Sequence, residues 1–524
     1  MAKRFALVFF LLLAVCGFLV AGFALMLFLA PGFRAFGLKY IASDTHIIDS
    51  GNVEAGSLFS GFRGDFEIET DQIPVYIIFT NSNIYQIRYF DNFNGLTTSD
   101  FDDPKPVMTT GSDGTAIIKT QEFDKFLYES SSSERYLKIF IPLSKVNGTD
   151  LKITTNSAPV TFMKEDTTDL RIPYFSNLTI STYDKINYDT AVKAIHYDLA
   201  INDSINVSNK SKIVEATNYT LYSRNGRITI QKDVIGDLDL TTRNQNISIV
   251  SCGNLTAKST YGNLTSASDK NEIIIDGSVN IDFKTGNVRI GEINGTTTNV
   301  IKTTSGNVSI DKLKNAEITT QRGAVRIESL NKATISTNVG KVEVYEVLSS
   351  IDVTTKRGKI VLGSEDTRVN NPTAFSRLGK VTVSNATGKV DLHTIRSDIK
   401  FTNSSSSNIT INAGGALDAK GLTGTIKIAA NDETTLEFSY ITAATTIELG
   451  DSCKSATITA LRNTKNNTRY YIEAKNVTRY EYDTNTGSYS KVEAGTAVTN
   501  TSGSGPLLNV TSKNADILVY FLMS

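Results

Sequence analysis

The chain has 524 residues, a formal net charge of -1, no tryptophan, nine prolines and three cysteines. So neutral a balance argues against a nucleic-acid-binding domain, which should carry a basic face, and three cysteines are too few for a disulfide scaffold. Abundant Ser, Thr and Asn suit β-strands with polar outer faces and argue against a large aromatic core.

In chain order, residues 1–4 form a short tail carrying Lys3 and Arg4, and residues 5–30 are an uncharged apolar run of 26 residues. A cleavable signal peptide has an apolar region of roughly 7–15 residues, whereas a bilayer span needs about 20. The run therefore reads as an uncleaved transmembrane signal anchor. Lys3 and Arg4 in front of it place the N-terminus in the cytosol and the C-terminal ectodomain outside the cytoplasm, as a single-pass membrane protein. Cleavage inside the run is the alternative. Leu13-Ala14-Val15-Cys16 only loosely matches a bacterial lipobox, because Val15 stands where a small residue is required.

Residues 31–50 are a juxtamembrane link, and residues 51–140 are aromatic-rich, with Phe59, Phe62, Phe66, Tyr76, Phe79, Tyr85, Tyr89, Phe90 and Phe93. Strand-like runs at 75–79 and 136–141 alternate with turn residues, which predicts an irregular β-region. It is either a sandwich-like domain or a cap over the open sheet edges of the region C-terminal to it. Asp100, Asp102 and Asp103 form the densest acidic cluster, a cation-site candidate set against an ordinary exposed loop.

Residues 141–430 carry a repeat. Around Gly306, Gly323, Gly340 and Gly358 the chain reads SGNVSI, RGAVRI, VGKVEV and RGKIVL, with spacings of 17, 17 and 18. Apolar residues recur two and four positions after each glycine (Val308 and Ile310, Val325 and Ile327), and five before it (Ile301, Ile318, Ile335, Val353). Three before it stands a threonine: Thr303, Thr320, Thr337 and Thr355. Gly226, Gly262, Gly286, Gly379 and Gly424 extend the register, and Gln245 takes the glycine's place once. Between 363 and 412 the spacing widens and Gly388 competes. A fixed short period with alternating strands predicts an all-β, single-stranded parallel β-solenoid (β-helix). Glycine would permit a tight or left-handed corner, and the threonine column would cap it. Cys252 and Cys453 fall about ten turns apart, too far for a bridge at roughly 4.8 Å per turn. Residues 431–524 read as irregular C-terminal turns and a cap, with NTSGSGP at 500–506 linking to a last strand pair.

There are 18 Asn-x-Ser/Thr sequons, all from Asn147 onward. Asn147, Asn177, Asn206, Asn218, Asn254, Asn294, Asn385, Asn476 and Asn509 are candidate glycosylation sites of an ectodomain. The repeat also makes sequons by itself, since GNLT and GNVS join a turn Asn to an outward hydroxyl.

Catalytic patterns do not emerge. His46, His196 and His393 are scattered, and neither zinc spacing nor a phosphate loop is present. Asp237 with Asp239, Glu328 with Glu343, and Asp352 are the outward carboxylates that could serve a glycan-cleaving site or calcium. The competing reading is a solvated face whose acids pair with Arg326, Lys341 and Lys356.

TTSGNVSI (303–310), TTQRGAVRI (319–327), TTKRGKIVL (354–362) and the lead-in IPLSKVNGTDLKITTNSAPVTF (141–162) resemble the "putative-adhesin" β-solenoid repeat family of bacterial surface and membrane proteins. The resemblance covers roughly 141–430. It implies a fold and no catalytic residues. The expectation is a non-catalytic, membrane-anchored surface protein with an adhesin-like binding or spacer role. It would use no cofactor or metal, bind no nucleic acid, and meet an extracellular glycan or protein ligand. A glycan-active lyase or hydrolase, or a self-associating structural element, is the alternative.

Overall fold

Period-two alternation buries one side of each short strand, and parallel stacking sets each apolar residue on its equivalent in the next turn. The computed structural model describes residues 11–22, 34–35, 38–42, 46–49, 61–92, 94–98, 106–120, 126–129, 134–208, 214–268, 272–439, 441–463, 469–483, 485–502 and 504–523. Two compact units divide the chain, 1–226 and 227–524. Together they carry about 14 turns of an all-β β-solenoid, with one short helix near the N-terminus.

That helix covers residues 11–22, all exposed. Twelve residues rise about 18 Å, against a hydrocarbon core of about 30 Å. Among the described residues no helix is long and apolar enough to cross a membrane. The described part of the transmembrane helix expected over 5–30 is thus too short to span a bilayer, and the rest of that run lies outside the described residues.

In the second unit a single inward column runs through Ile247, Leu264, Val288, Val308, Val325, Val342, Ile360, Val381, Ile399 and Leu417, each paired in register with the next. Every member is at most 1% exposed. A second column joins Ile301, Ile318, Ile335, Val353 and Ala374. Alternating strands are short and separate at Ile228–Ile230, Leu238–Thr242, Ile247–Ile249 and Leu255–Ser259, and from Val308–Thr320 to Val342–Thr355 they merge into one long strand per turn that bends. Val308–Thr320 alternates inward and outward except at residues 311–312 and 314–315, where two outward residues in succession mark corners. Inward alternation reaches the threonine column, and Thr303, Thr320, Thr337 and Thr355 are all at most 4% exposed.

Those threonines cap the glycine corner locally. Thr320 donates its hydroxyl to the Gly323 carbonyl at 2.8 Å and Thr337 to that of Gly340 at 3.1 Å, while Thr355 accepts from the Gly358 amide at 2.8 Å. Ser259 and Ser376 do the same for the amides of Gly262 and Gly379. Removing such a bond while leaving a buried backbone group unpaired costs roughly 1–3 kcal/mol. Thr337→Val is therefore expected to lower stability by about 1–2 kcal/mol in urea melts, whereas Thr334→Val, at an outward position of the same strand, should change little.

The reason for glycine is not the expected left-handed corner. Among Gly262, Gly286, Gly306, Gly323, Gly340, Gly358 and Gly379, only Gly286 has a positive φ, of 152°. Instead the turns touch: a Cβ on Gly323 would lie 1.6 Å from the Gly306 carbonyl oxygen, and one on Gly340 1.6 Å from that of Gly323. Gly424 stands outside this column. Its Ile426 pairs with Ile409, which pairs with Val390, while the column passes through Ile399 and Leu417 behind Ser397 and Gly415. Gly424 has a φ of 82° and is the corner that does use left-handed backbone.

The last strands are laid down out of sequence order. Leu507–Ser512 and Asp516–Met523 pair in parallel with Thr445–Leu449 and Ser455–Asn463 on one side. On the other side they pair with Arg469–Asp483, an earlier segment. Ser488–Asn500 then closes the edge as an antiparallel hairpin with Arg469–Asp483.

The first unit ends similarly. Phe66–Thr70, Thr149–Thr155, Tyr174–Ser181, Val192–Ile201 and Val214–Ser223 stack in parallel. Beyond Phe66–Thr70 lies the later segment Ala116–Lys119, and beyond Val75–Thr80 lies Glu134–Pro142, both parallel. Val107–Thr110 and Gln86–Asn92 cover these in antiparallel fashion. The aromatic region thus pairs as capping layers of the solenoid, and a boundary at 140 falls inside Glu134–Pro142. Contrary to the compositional expectation, this unit has an aromatic interior: Phe79, Phe162, Phe175, Tyr197 and Tyr219 are all at most 1% exposed. The Tyr188 and Tyr197 hydroxyls meet at 2.5 Å. Burial pushes both phenols well above their ordinary range.

Candidate functional site

A solenoid presents its chemistry on outward columns, so each candidate residue is placed by the register. In the second unit one column runs Arg289, Ser309, Arg326, Glu343, Val361, Thr382, Lys400, Asp418. Arg326 and Glu328 pair at 2.8 Å, and Lys341 pairs with Glu343. Glu328 and Glu343 sit on neighbouring turns but in different columns, and each answers to its own cation. Asp237 accepts from the backbone and side-chain amides of Asn254, the latter at 2.7 Å, which ties it to the next turn. Asp239 is exposed one strand face along. Asp100, Asp102 and Asp103 lie outside the described residues. Among the described residues no group of three or more His, Cys, Asp or Glu could hold a metal ion.

Asp352 faces Thr373, which in turn pairs with Asp391. Partial burial first, and the Asp391 charge second, hold the Asp352 carboxyl above its usual value. An acid raised in the fold costs stability when ionised, and the cost disappears as pH falls through its folded value. Asp352→Asn is therefore expected to raise the thermal midpoint at pH 7 and leave it unchanged in acid well below the ordinary carboxylate range, as circular dichroism melts would show.

His196 meets the Asn218 side-chain amide at 3.2 Å, and His393 packs edge-on against Phe375 with centroids 5.2 Å apart. Cys252 and Cys453 are both free and buried. Burial pushes the Cys252 thiol up to about 12, which disfavours its thiolate.

Most of the candidate sequons are built into the turn-to-turn bonding. The side-chain amides of Asn177, Asn254, Asn294 and Asn476 donate to Asp150, Asp237, Asp276 and Asp516 respectively. Asn385, with a φ of 51°, donates to the carbonyls of Ser364 and Glu365. Asn147 and Asn206 are exposed and Asn509 is half-buried.

The glycine corner itself changes character along the second unit. From Asn246 to Asn307 the residue after the corner is an asparagine whose side-chain carbonyl accepts the next turn's backbone amide: Asn246 from Asn263, Asn263 from Asn287, Asn287 from Asn307, at 2.7–2.9 Å. Asn307 accepts from Ala324 at 2.8 Å, and the ladder ends there. The next turns carry Arg322, Lys341, Lys356, Arg357, Lys359, Arg377, Lys380 and Arg396 beside the corner, all exposed. Sequence reading missed this ridge, although its signal is in the chain at the positions flanking Gly323, Gly340, Gly358 and Gly379.

Together these features define the class: an all-β repeat solenoid whose chemistry lies on long outer columns and corners. No protein-family model matches the chain, and no curated protein matches it. A solved structure from Clostridium sporogenes, described as a "putative cell adhesion protein", aligns with 47% of this chain and 98% of its own at 10% identity. Its TM-score of 0.20 is too low to carry any argument.

Proposed function

We propose that this chain is a non-catalytic surface protein that binds or spaces through its β-solenoid, in the manner of an adhesin. The observation behind this reading is the outer column from Arg289 to Asp418, where seven of eight residues in register are polar or charged. Such a surface repeats a contact at every turn, which favours many weak contacts to an extended ligand over one deep pocket. Of the candidate acids, Glu328 and Glu343 are engaged with cations and Asp237 in a turn-to-turn bond. The uncharged run at 5–30 is the proposed membrane attachment, and resistance of the full chain to alkaline carbonate extraction from membranes would support it. The role is tested with the full chain on a glycan array, read beside a reducing-sugar release assay. Binding without release supports the reading; release of sugar ends it in favour of an enzyme.

A further inference from the structure

We propose that the basic corner from Arg322 to Arg396 binds a linear acidic polysaccharide. This rests on the binding role above and adds the ligand class. Arg322, Lys356, Arg357, Lys359, Arg377 and Arg396 are exposed, and none has an ion-pair partner among the described residues. Of the other two, Lys341 is paired with Glu343, and Lys380 lies 3.9 Å from Asp398.

Backbone bonds hold this corner in line: the amide of Leu378 donates to the Lys356 carbonyl at 3.0 Å and that of Arg396 to the Arg377 carbonyl at 3.2 Å. Lys356 thus stacks on Arg377, and Lys341, Lys359 and Lys380 on one another, at about the 4.8 Å spacing of neighbouring strands, where like charges repel, while exposed Val339 and Leu378 stand between Arg322, Arg357 and Arg396. The corner does not need them for its own stability. A few turns earlier the same corner is bonded by the neutral Asn246–Asn307 ladder. A row of uncompensated cations that the fold does not require is the electrostatic complement of a linear polyanion.

A second observation selects the polyanion. Phe375 and His393, partners in register, point outward beside the corner and pack edge to face. Phe375 stands two residues before Arg377 on the same outward side of the strand. An apolar ring beside a cation suits the C–H face of a sugar ring that carries a carboxylate or sulfate. On that same face, Asp391 and Asp352 flank Thr373. Carboxylates there accept bonds from the free hydroxyls of a sugar chain, which a DNA backbone does not offer. Arginine adds two-pronged recognition of carboxylate.

The test uses the full chain in detergent with polygalacturonate, its fully methyl-esterified form and oligodeoxythymidylate as probes. The expected result is binding of polygalacturonate, weakening as salt rises, with no binding of the ester. The double variant Arg357→Glu with Arg377→Glu should lose about tenfold or more in affinity and show a flatter salt dependence, with its thermal melt unchanged. Phe375→Ala should lose affinity while keeping the salt dependence. Equal binding of the ester, tighter binding of the oligonucleotide, or an unaffected double variant would each overturn the ligand class. Array binding of other glycans would then leave the adhesin-like binding role standing, whereas no binding on the array would remove that role too and leave only the spacer reading.

Discussion

Gly340→Ala is expected to unfold the turns around residue 340, a far larger effect than a single methyl group ordinarily has. A Cβ there would lie 1.6 Å from the Gly323 carbonyl oxygen and 2.4 Å from its carbonyl carbon. Those atoms are backbone, so no side chain can swing aside. The turns must separate, which breaks the hydrogen bond that the Val325 amide donates to the Lys341 carbonyl at 2.8 Å and the Thr337 cap on Gly340. Ordinary overpacking costs roughly 1–3 kcal/mol, and a rigid backbone clash plus two lost bonds should exceed about 4 kcal/mol. Urea melts followed by circular dichroism would measure it. Gly495→Ala is the control, because a Cβ there meets nothing nearer than 3.6 Å. Equal midpoints for the two variants would refute the close-contact account of the corner.

The second large effect is Ile335→Asp. Ile335 is 0% exposed, between Ile318 and Val353 in the same column. Both of these neighbours are buried and apolar, so the carboxylate would have no partner in its column. Burying an unpaired charge costs roughly 3–5 kcal/mol or more, whereas Ile335→Val should cost only about 0.5–1.5 kcal/mol. Each turn is stabilised by its neighbours, so the damage should remain local. Hydrogen exchange is expected to rise sharply over Val325–Thr337 and the adjoining strands, and far less near Leu507–Ser512. Uniform loss of protection across the second unit would instead mean that the unit unfolds as one body.

The register was legible because a solenoid repeats the same environment, so one inward pattern recurs until chance is excluded. Val308, Val325, Val342 and Ile360 declared their column by spacing alone, and the threonines declared their cap. The physical reason for the glycines was not legible. A left-handed corner and a backbone contact between turns both demand a residue without Cβ, and only the distance between Gly340 and Gly323 separates them. Gly424 shows the same ambiguity, since every face of the solenoid alternates with period two. TGTIKI matches the motif and yet belongs to another column.

The caps were hidden for a different reason. Leu507–Ser512 lies between two segments that precede it in the chain, and Phe66–Thr70 between two that follow it. Spacing rules assume that neighbours in sequence are neighbours in space, and the chain ends violate that in order to cover open edges. The basic corner was hidden although each of its residues is in plain view. Arg322, Arg357, Arg377 and Arg396 are far apart in a chain of net charge -1. They come to one edge only when parallel pairing brings their turns together, with Val339 and Leu378 between Arg322, Arg357 and Arg396.

By itself, then, the sequence determined the all-β class, the period, the inward columns and the corner caps, because these are local patterns that burial enforces identically at every turn. Tertiary structure alone decided why the corner excludes a Cβ, how each unit closes its end, and which charges stand together, because those depend on distances between turns that spacing along the chain does not encode.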